Sequence, residues 1–145
     1  MVLPEKNIAR DYANILIEIF NTKNENVFER EYDRAIQQFQ PGGLIKYGRG
    51  EIFDFWCKIF SAFPNAILNI EHLSFVKDQN QPPKAAIRWT LIGKHDGSGY
   101  FGSPTGANIY MLGINHVEFG QRGIKNEWVL FDETMIWKQI LMQTG

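Results

Sequence analysis

Asp132 is followed at once by the helix-like run ETMIWKQI, and counting back along its strand in steps of two reaches Leu130 and Trp128. A carboxylate that shares a face with apolar side chains is partly desolvated, which makes it a stronger proton acceptor, able to take a proton from beside a carbonyl without a metal. The competing reading is a strand-end carboxylate that caps the following helix. His95 alternates in phase with Trp89, Leu91 and Gly93, and His116 with Ile114. Either imidazole could donate a hydrogen bond to a developing enolate oxygen; either could equally be a structural histidine. His72, in phase with Leu68, Ile70 and Val76, reads as structural. Arg88 has the opposite phase to His95 and so belongs on the outer sheet face, while Arg49 is a guanidinium that could orient a carboxylate.

Other chemistries lack their parts. Three histidines without helical ligand spacing and a single cysteine make no zinc or iron site. No G-x-G-x-x-G or phosphate loop opens a helix after a strand, no G-x-S-x-G elbow occurs, and Cys57 lies mid-helix as a small buried residue. The expectation is a protein that needs no metal, flavin or nicotinamide. Fifteen Lys+Arg against sixteen Asp+Glu give a net charge of -1, without the basic excess of a nucleic-acid binder. No apolar run approaches the roughly 18 residues of a membrane span. The start MVLPEKNIARD lacks a secretory pattern, so a cytoplasmic location is expected.

The elements that must position these residues follow from hydrophobic period. From Pro4 to about Phe20, apolar residues at Ile8, Tyr12, Ile15, Leu16, Ile19 and Phe20 predict an amphipathic helix. Glu25 to Asp33 predicts a short second helix, and AIQQFQ then runs to the breaker Pro41-Gly42-Gly43. A third helix, GEIFDFWCKIFSAF, places Ile52, Phe53, Trp56, Ile59, Phe60 and Phe63 on one stripe and stops at Pro64. The period then changes to that of strands in AILNIEHLSFV, KAAIRWTLIGKH, NIYMLGINHVEF and IKNEWVLFDETMIW, separated by turn chemistry suited to antiparallel neighbours. The whole of residues 1–145 reads as one α+β domain of about three helices on a curved, mainly antiparallel sheet. Eleven Phe, four Trp and five Tyr suit either an aromatic-walled ligand cavity or a tight aromatic core.

The second half resembles the SnoaL-like polyketide cyclases, a branch of the cone-shaped nuclear transport factor 2-like superfamily. The resemblance rests on Arg88 with Gly93-x-His95-x-Gly97, the turn Phe101 to Gly106, Gly113-Ile-Asn115, and Glu127-Trp128-x-x-x-Asp132 followed by Gln139. Upstream, Gly48-Arg49 and Phe63-Pro64-Asn65 continue it, while Phe39 and Gln40 stand before Pro41 where relatives often have a polar residue such as His. The resemblance implies a cone-shaped barrel and cofactor-free acid/base chemistry, an aldol cyclisation or isomerisation of a small apolar carbonyl compound. Asp132 matches the position of the acid/base aspartate, with His95 or His116 as enolate stabiliser. Trp128, Tyr12, Trp56 and Phe60 are the candidate pocket walls. The alternative on the same fold is a non-catalytic module that binds an apolar ligand or a protein. Large side chains on both faces of the strands, such as Ile109, Tyr110, Met111 and Leu112, lead to the expectation of a homodimer.

Overall fold

The computed structural model describes residues 7–145, so Pro4, expected in the first turn of the first helix, lies outside the described residues. Helix α1 is Ile8–Thr22, started by Asn7, whose side-chain oxygen accepts a hydrogen bond from the Arg10 backbone N–H at 3.0 Å. Its buried face carries Ile8, Tyr12, Ile15, Leu16 and Ile19, the stripe the spacing predicts, and it ends at Lys23 in the left-handed conformation with φ of 47°. Helix α2 is Asn26–Glu31 and α3 is Gly48–Ser61, with Ile52, Phe55, Trp56, Ile59 and Phe60 buried. The strands are β1 (Tyr32–Gln40), β2 (Leu44–Tyr47), β3 (Ile67–Val76), β4 (Lys84–Lys94), β5 (Asn108–Gly120) and β6 (Gly123–Phe131), and α4 (Glu133–Thr144) closes the chain. Among the described residues no helix is long and apolar enough to cross a membrane.

One six-stranded sheet runs in the order β2-β1-β6-β5-β4-β3. Every neighbouring pair is antiparallel except β1 and β6, which are parallel. The expected meander is β3 to β6; β1 and β2 are additional. β1 hides in the sequence because the position two after buried Ile36 is Gln38, a polar side chain facing the core. A bulge between Ile70 and His72 reverses the phase of β3, so that Leu73 and Phe75 pack inward and His72 is exposed. Arg88 is exposed on the outer face, as its phase requires.

Helices α1 and α3 cover the concave face, and the sheet alternates cleanly beneath them: Ile109, Met111, Gly113, Asn115 and Val117 inward on β5, Trp89, Leu91 and His95 inward along β4 and just past its end. Trp89 faces Gly113 directly across the ladder, and a Cβ on Gly113 would fall 2.1 Å from the Trp89 ring, so the indole occupies the space a side chain would need. The free edge of β5 beyond the end of β6 is capped by α4. Gln139 bonds both backbone groups of Tyr110 and Gln143 both of Asn108, each glutamine standing in for a strand residue at distances of 2.7–3.0 Å.

Gly113→Ala is expected to destabilise the fold by about 1–3 kcal/mol, the usual cost of overpacking a filled interior. Thermal melting with near-ultraviolet circular dichroism checks this. A melting temperature within a degree of the parent and an unchanged indole signal would show that the Trp89 seat is not tight.

Candidate functional site

One carboxylate stands inside the cone among the described residues, that of Glu127, with no exposed surface. It reaches the interior because β6 turns Glu127, Val129 and Phe131 inward and Trp128 and Leu130 outward. Each of its oxygens accepts two hydrogen bonds. Oε2 receives the hydroxyls of Tyr12 at 2.6 Å and Tyr32 at 2.7 Å; Oε1 receives the side-chain amide of Gln38 at 2.7 Å and the indole N–H of Trp56 at 3.2 Å. The donors come from α1, β1 and α3, and the Gln38 contact follows from its pairing directly beside Glu127 in the parallel ladder. Two relays extend the cluster. Trp89 donates to Asn115 at 3.1 Å and Asn115 donates to the Tyr12 oxygen at 2.9 Å, while Gln40 donates to Gln38 at 2.7 Å.

Four donors and no acceptor suit the ionised, acceptor-only form of the carboxyl group. Hydrogen bonds to a charged group contribute about 1.5–3 kcal/mol each, so four of them are of the order of the several kcal/mol that desolvating such an ion costs. All four donors are neutral, which leaves a net negative charge in the interior. Burial, then the Glu127 charge, hold the phenols of Tyr12 and Tyr32 well above the ordinary tyrosine range, so both remain O–H donors through neutral pH.

The residues singled out in the sequence divide among three places. Tyr12, Trp56 and Phe60 are fully buried in the interior, Trp56 stacking on Phe60 with centroids 5.2 Å apart and bonding Glu127 with Tyr12. His95 is also fully buried, but at the far end of β4, where its Nδ1 shares a hydrogen bond with Thr105 Oγ1 at 2.9 Å. Its carbonyl accepts from the N–H groups of Thr105 and Gly106, so this residue closes the Gly-rich loop, and Phe63 and Phe101 flank its ring. In the same loop a Cβ on Gly97 would lie 1.9 Å from the Ser61 carbonyl oxygen, and one on Gly99 2.3 Å from that of Lys58. The motif around His95 thus fits the loop against α3.

The third place is the outer sheet face. His116 is exposed, paired across the ladder with Trp128, their rings 5.3 Å apart, and Trp128 stacks on Phe39 at 4.9 Å. Asp132 is exposed too, and its Oδ1 accepts from the Met135 N–H at 3.1 Å as the N-cap of α4. It borders an apolar groove of about 520 Å³ with Leu112, Ile114, Leu130 and Trp137. The structure therefore does not bring Asp132, His95 and His116 together, and it sets Trp128 on the opposite face from Tyr12, Trp56 and Phe60. The period-two count for Asp132 holds; the face it shares with Trp128 and Leu130 is the outer one. Glu127 had a signal of the same kind, since it is in phase with Val129 and Phe131.

A family model described as SnoaL-like polyketide cyclase matches residues 10–140. No curated protein matches the chain. Among solved structures, a proposed SnoaL-like polyketide cyclase from Jannaschia sp. CCS1 superposes with a TM-score of 0.74 at 12% identity, covering 96% of this chain and 97% of that one. IdmH, a proposed polyketide cyclase from Streptomyces antibioticus, gives 0.70 at 18% identity over 91% and 97%. AclR, a proposed hydroxylase from Streptomyces galilaeus, gives 0.68 at 13% identity over 91% and 80%. At these identities the structures establish the cone-shaped fold.

The buried phenols generate a pH dependence. Their folded pKa values lie above the unfolded value, so the unfolded chain loses protons first, and stability declines as pH rises past about 10. Alkaline difference spectroscopy should show Tyr12 and Tyr32 ionising only together with unfolding. Full ionisation of all five tyrosines in a still-folded chain near pH 10 would contradict the cluster's geometry.

Proposed function

The chain belongs to the SnoaL-like polyketide cyclase family, and from that premise we propose that it is a cofactor-independent acid/base enzyme acting on a small, neutral, largely apolar carbonyl compound, with Glu127 as the proton-transferring group. The observation that carries this reading is a buried carboxylate hydrogen-bonded by neutral donors alone, two of them phenols. A carboxylate enclosed in an aromatic interior, with hydroxyl donors beside it that can turn toward a second oxygen, is an arrangement that proton-transfer sites use.

In the proposed reaction a Glu127 oxygen takes a proton from the carbon beside the substrate carbonyl. The C–H electron pair becomes the C=C bond of an enolate, and the carbonyl electrons move onto oxygen. Tyr32, whose hydroxyl among the described residues bonds Glu127 alone, turns its O–H to the enolate oxygen. Tyr12 is held additionally by Asn115 and keeps the carboxylate oriented. The enolate carbon then attacks a second carbonyl of the same molecule, whose π electrons move onto its oxygen, and that oxygen takes the proton back from Glu127, giving an aldol cyclisation; or Glu127 returns the proton to a different carbon of the extended enolate, giving an isomerisation. Neither route transfers electrons to an external acceptor. The neutrality of all four described donors to Glu127 favours a neutral reactant.

A second reading is favoured by the apolar groove beside Asp132, where this carboxylate would act as the base on the outer face. Deuterium incorporation into neutral ketones such as 2-tetralone, followed by NMR in heavy water, separates the readings. Glu127→Gln should slow catalysed exchange by roughly a hundredfold to ten-thousandfold, while Asp132→Asn, which retains a good helix cap, should leave it unchanged. The opposite pattern assigns the chemistry to the groove. Catalysed exchange that survives in both folded variants removes both carboxylates from the mechanism.

The proposal includes a homodimer formed through the outer sheet face. What supports it is an uncharged strip of exposed Tyr110, Leu112, Ile114 and Leu130 on two adjacent strands, the kind of self-complementary surface a two-fold axis can bury. Light scattering at micromolar concentration should give twice the 16.8 kDa chain mass, and Leu130→Lys should return it to that mass. A parent protein of 16.8 kDa at these concentrations contradicts the dimer.

A further inference from the structure

Glu127 and its four donors have no exposed surface, so a reactant can meet the carboxylate only if part of the cover moves. A short way in passes under α2. A surface cleft of about 240 Å³ is lined by Phe28 together with Glu25, Glu29, Arg34, Arg49 and Phe53. The Phe28 ring stacks on Tyr32 with centroids 4.9 Å apart, and the Tyr32 hydroxyl is 2.7 Å from Glu127. Two stacked rings therefore separate this cleft from the carboxylate.

The segment that carries the outer ring is built to be separable. Helix α2 has six residues and buries only Val27 and Phe28. It follows the left-handed Lys23, and at its start Glu25 makes no side-chain capping bond, the Asn26 N–H being met instead by the exposed side chain of Asn24 at 2.9 Å. Apart from Val27 and the Phe28 ring, which stacks on Tyr32 and meets Phe53 edge-on at 5.5 Å, its fastenings are polar and lie near the surface. The Arg49 guanidinium donates to the carbonyl of Tyr32 at 2.7 Å and to that of Glu29 at 3.1 Å, gripping the end of α2, and an exposed Arg30–Glu18 ion pair ties α2 to α1. Few buried apolar contacts and solvent-accessible polar ties are the marks of a segment that opens below the cost of global unfolding.

We propose that α2 is a gate: it swings away from the cone with Phe28, the Arg49 grip being the latch, and opens a path from the surface to Tyr32 and Glu127. The purpose of the gate rests on the reading of Glu127 as the working group; the movement does not. Gating of this kind sets the access and release steps of many enzymes whose sites are closed at rest.

Native-state amide hydrogen exchange on the full chain tests the motion. The N–H groups of Phe28, Glu29 and Tyr32 should exchange about a hundredfold faster than those of Met111 to Val117 in β5, and Arg49→Gln should speed the first set roughly tenfold while leaving the second unchanged. Glu18→Gln, on an exposed side chain, provides a second loosened latch should Arg49→Gln fold poorly. Access is read in a Trp128→Phe/Trp137→Phe background, which retains the buried Trp56 and Trp89. There, acrylamide quenching should rise several-fold with either latch removed. Exchange of α2 in step with β5, or α2 exchange that quickens while quenching stays at its parent level, overturns the gate. A gate that opens in a protein whose Glu127→Gln variant still exchanges ketone protons would stand while the proposed chemistry fell; a rigid α2 with a Glu127-dependent exchange reaction would do the reverse.

Discussion

A buried carboxylate that, among the described residues, has no cation beside it governs how this molecule is put together. Glu127 has to be satisfied inside an aromatic cone, and satisfying it draws one side chain from α1, two from β1 and one from α3 to within 3.2 Å. The demand extends outward from there. Tyr12 can keep its hydroxyl on the carboxylate because Asn115 donates to it, Asn115 is fixed by the Trp89 indole, and that indole fits because residue 113 has no side chain. A chain of hydrogen bonds thus links four strands and two helices, and its members polarise one another in a low-dielectric setting. The same fastening leaves neither carboxylate oxygen free, since each already accepts two hydrogen bonds.

The architecture was legible wherever pattern and packing agreed. The stripes of α1 and α3 and most of the β3 to β6 meander keep their periods, the β3 bulge after Ile70 being the break that misplaced His72, and the ordered motifs from Arg88 to Gln139 pointed to the cone-shaped fold. β1 was not legible because Gln38 occupies a core position, a polar residue placed there to reach Glu127. The same cause obscured the interior cluster: its polar side chains interrupt the apolar alternation that marks a strand's inner face. On β6 both faces look apolar in sequence, with Trp128 and Leu130 on one and Val129 and Phe131 on the other. Alternation alone cannot say which face meets the helices, and the choice was decided only by pairing with β1 and β5.

Several motif residues hold the local geometry of this fold. Asp132 starts α4, Gln139 binds the open edge of β5, and His95 with Gly97 and Gly99 seats the Gly-rich loop on α3. These tasks share a physical theme, the satisfaction of backbone groups where regular pairing stops. They keep the cone closed around the cluster, which is the condition under which hydrogen bonds to a developing enolate have their greatest effect.

Whether the interior carboxylate is the group a reactant meets is decided by a crystal structure of the protein grown with saturating 2-naphthol, a neutral planar mimic of an enol. The expected structure has the naphthol oxygen within hydrogen-bond distance of Glu127, Tyr32 turned from its present bond, and Phe28 displaced. Naphthol bound in the outer groove between Asp132 and Trp137, with the four hydrogen bonds to Glu127 unchanged, would contradict it.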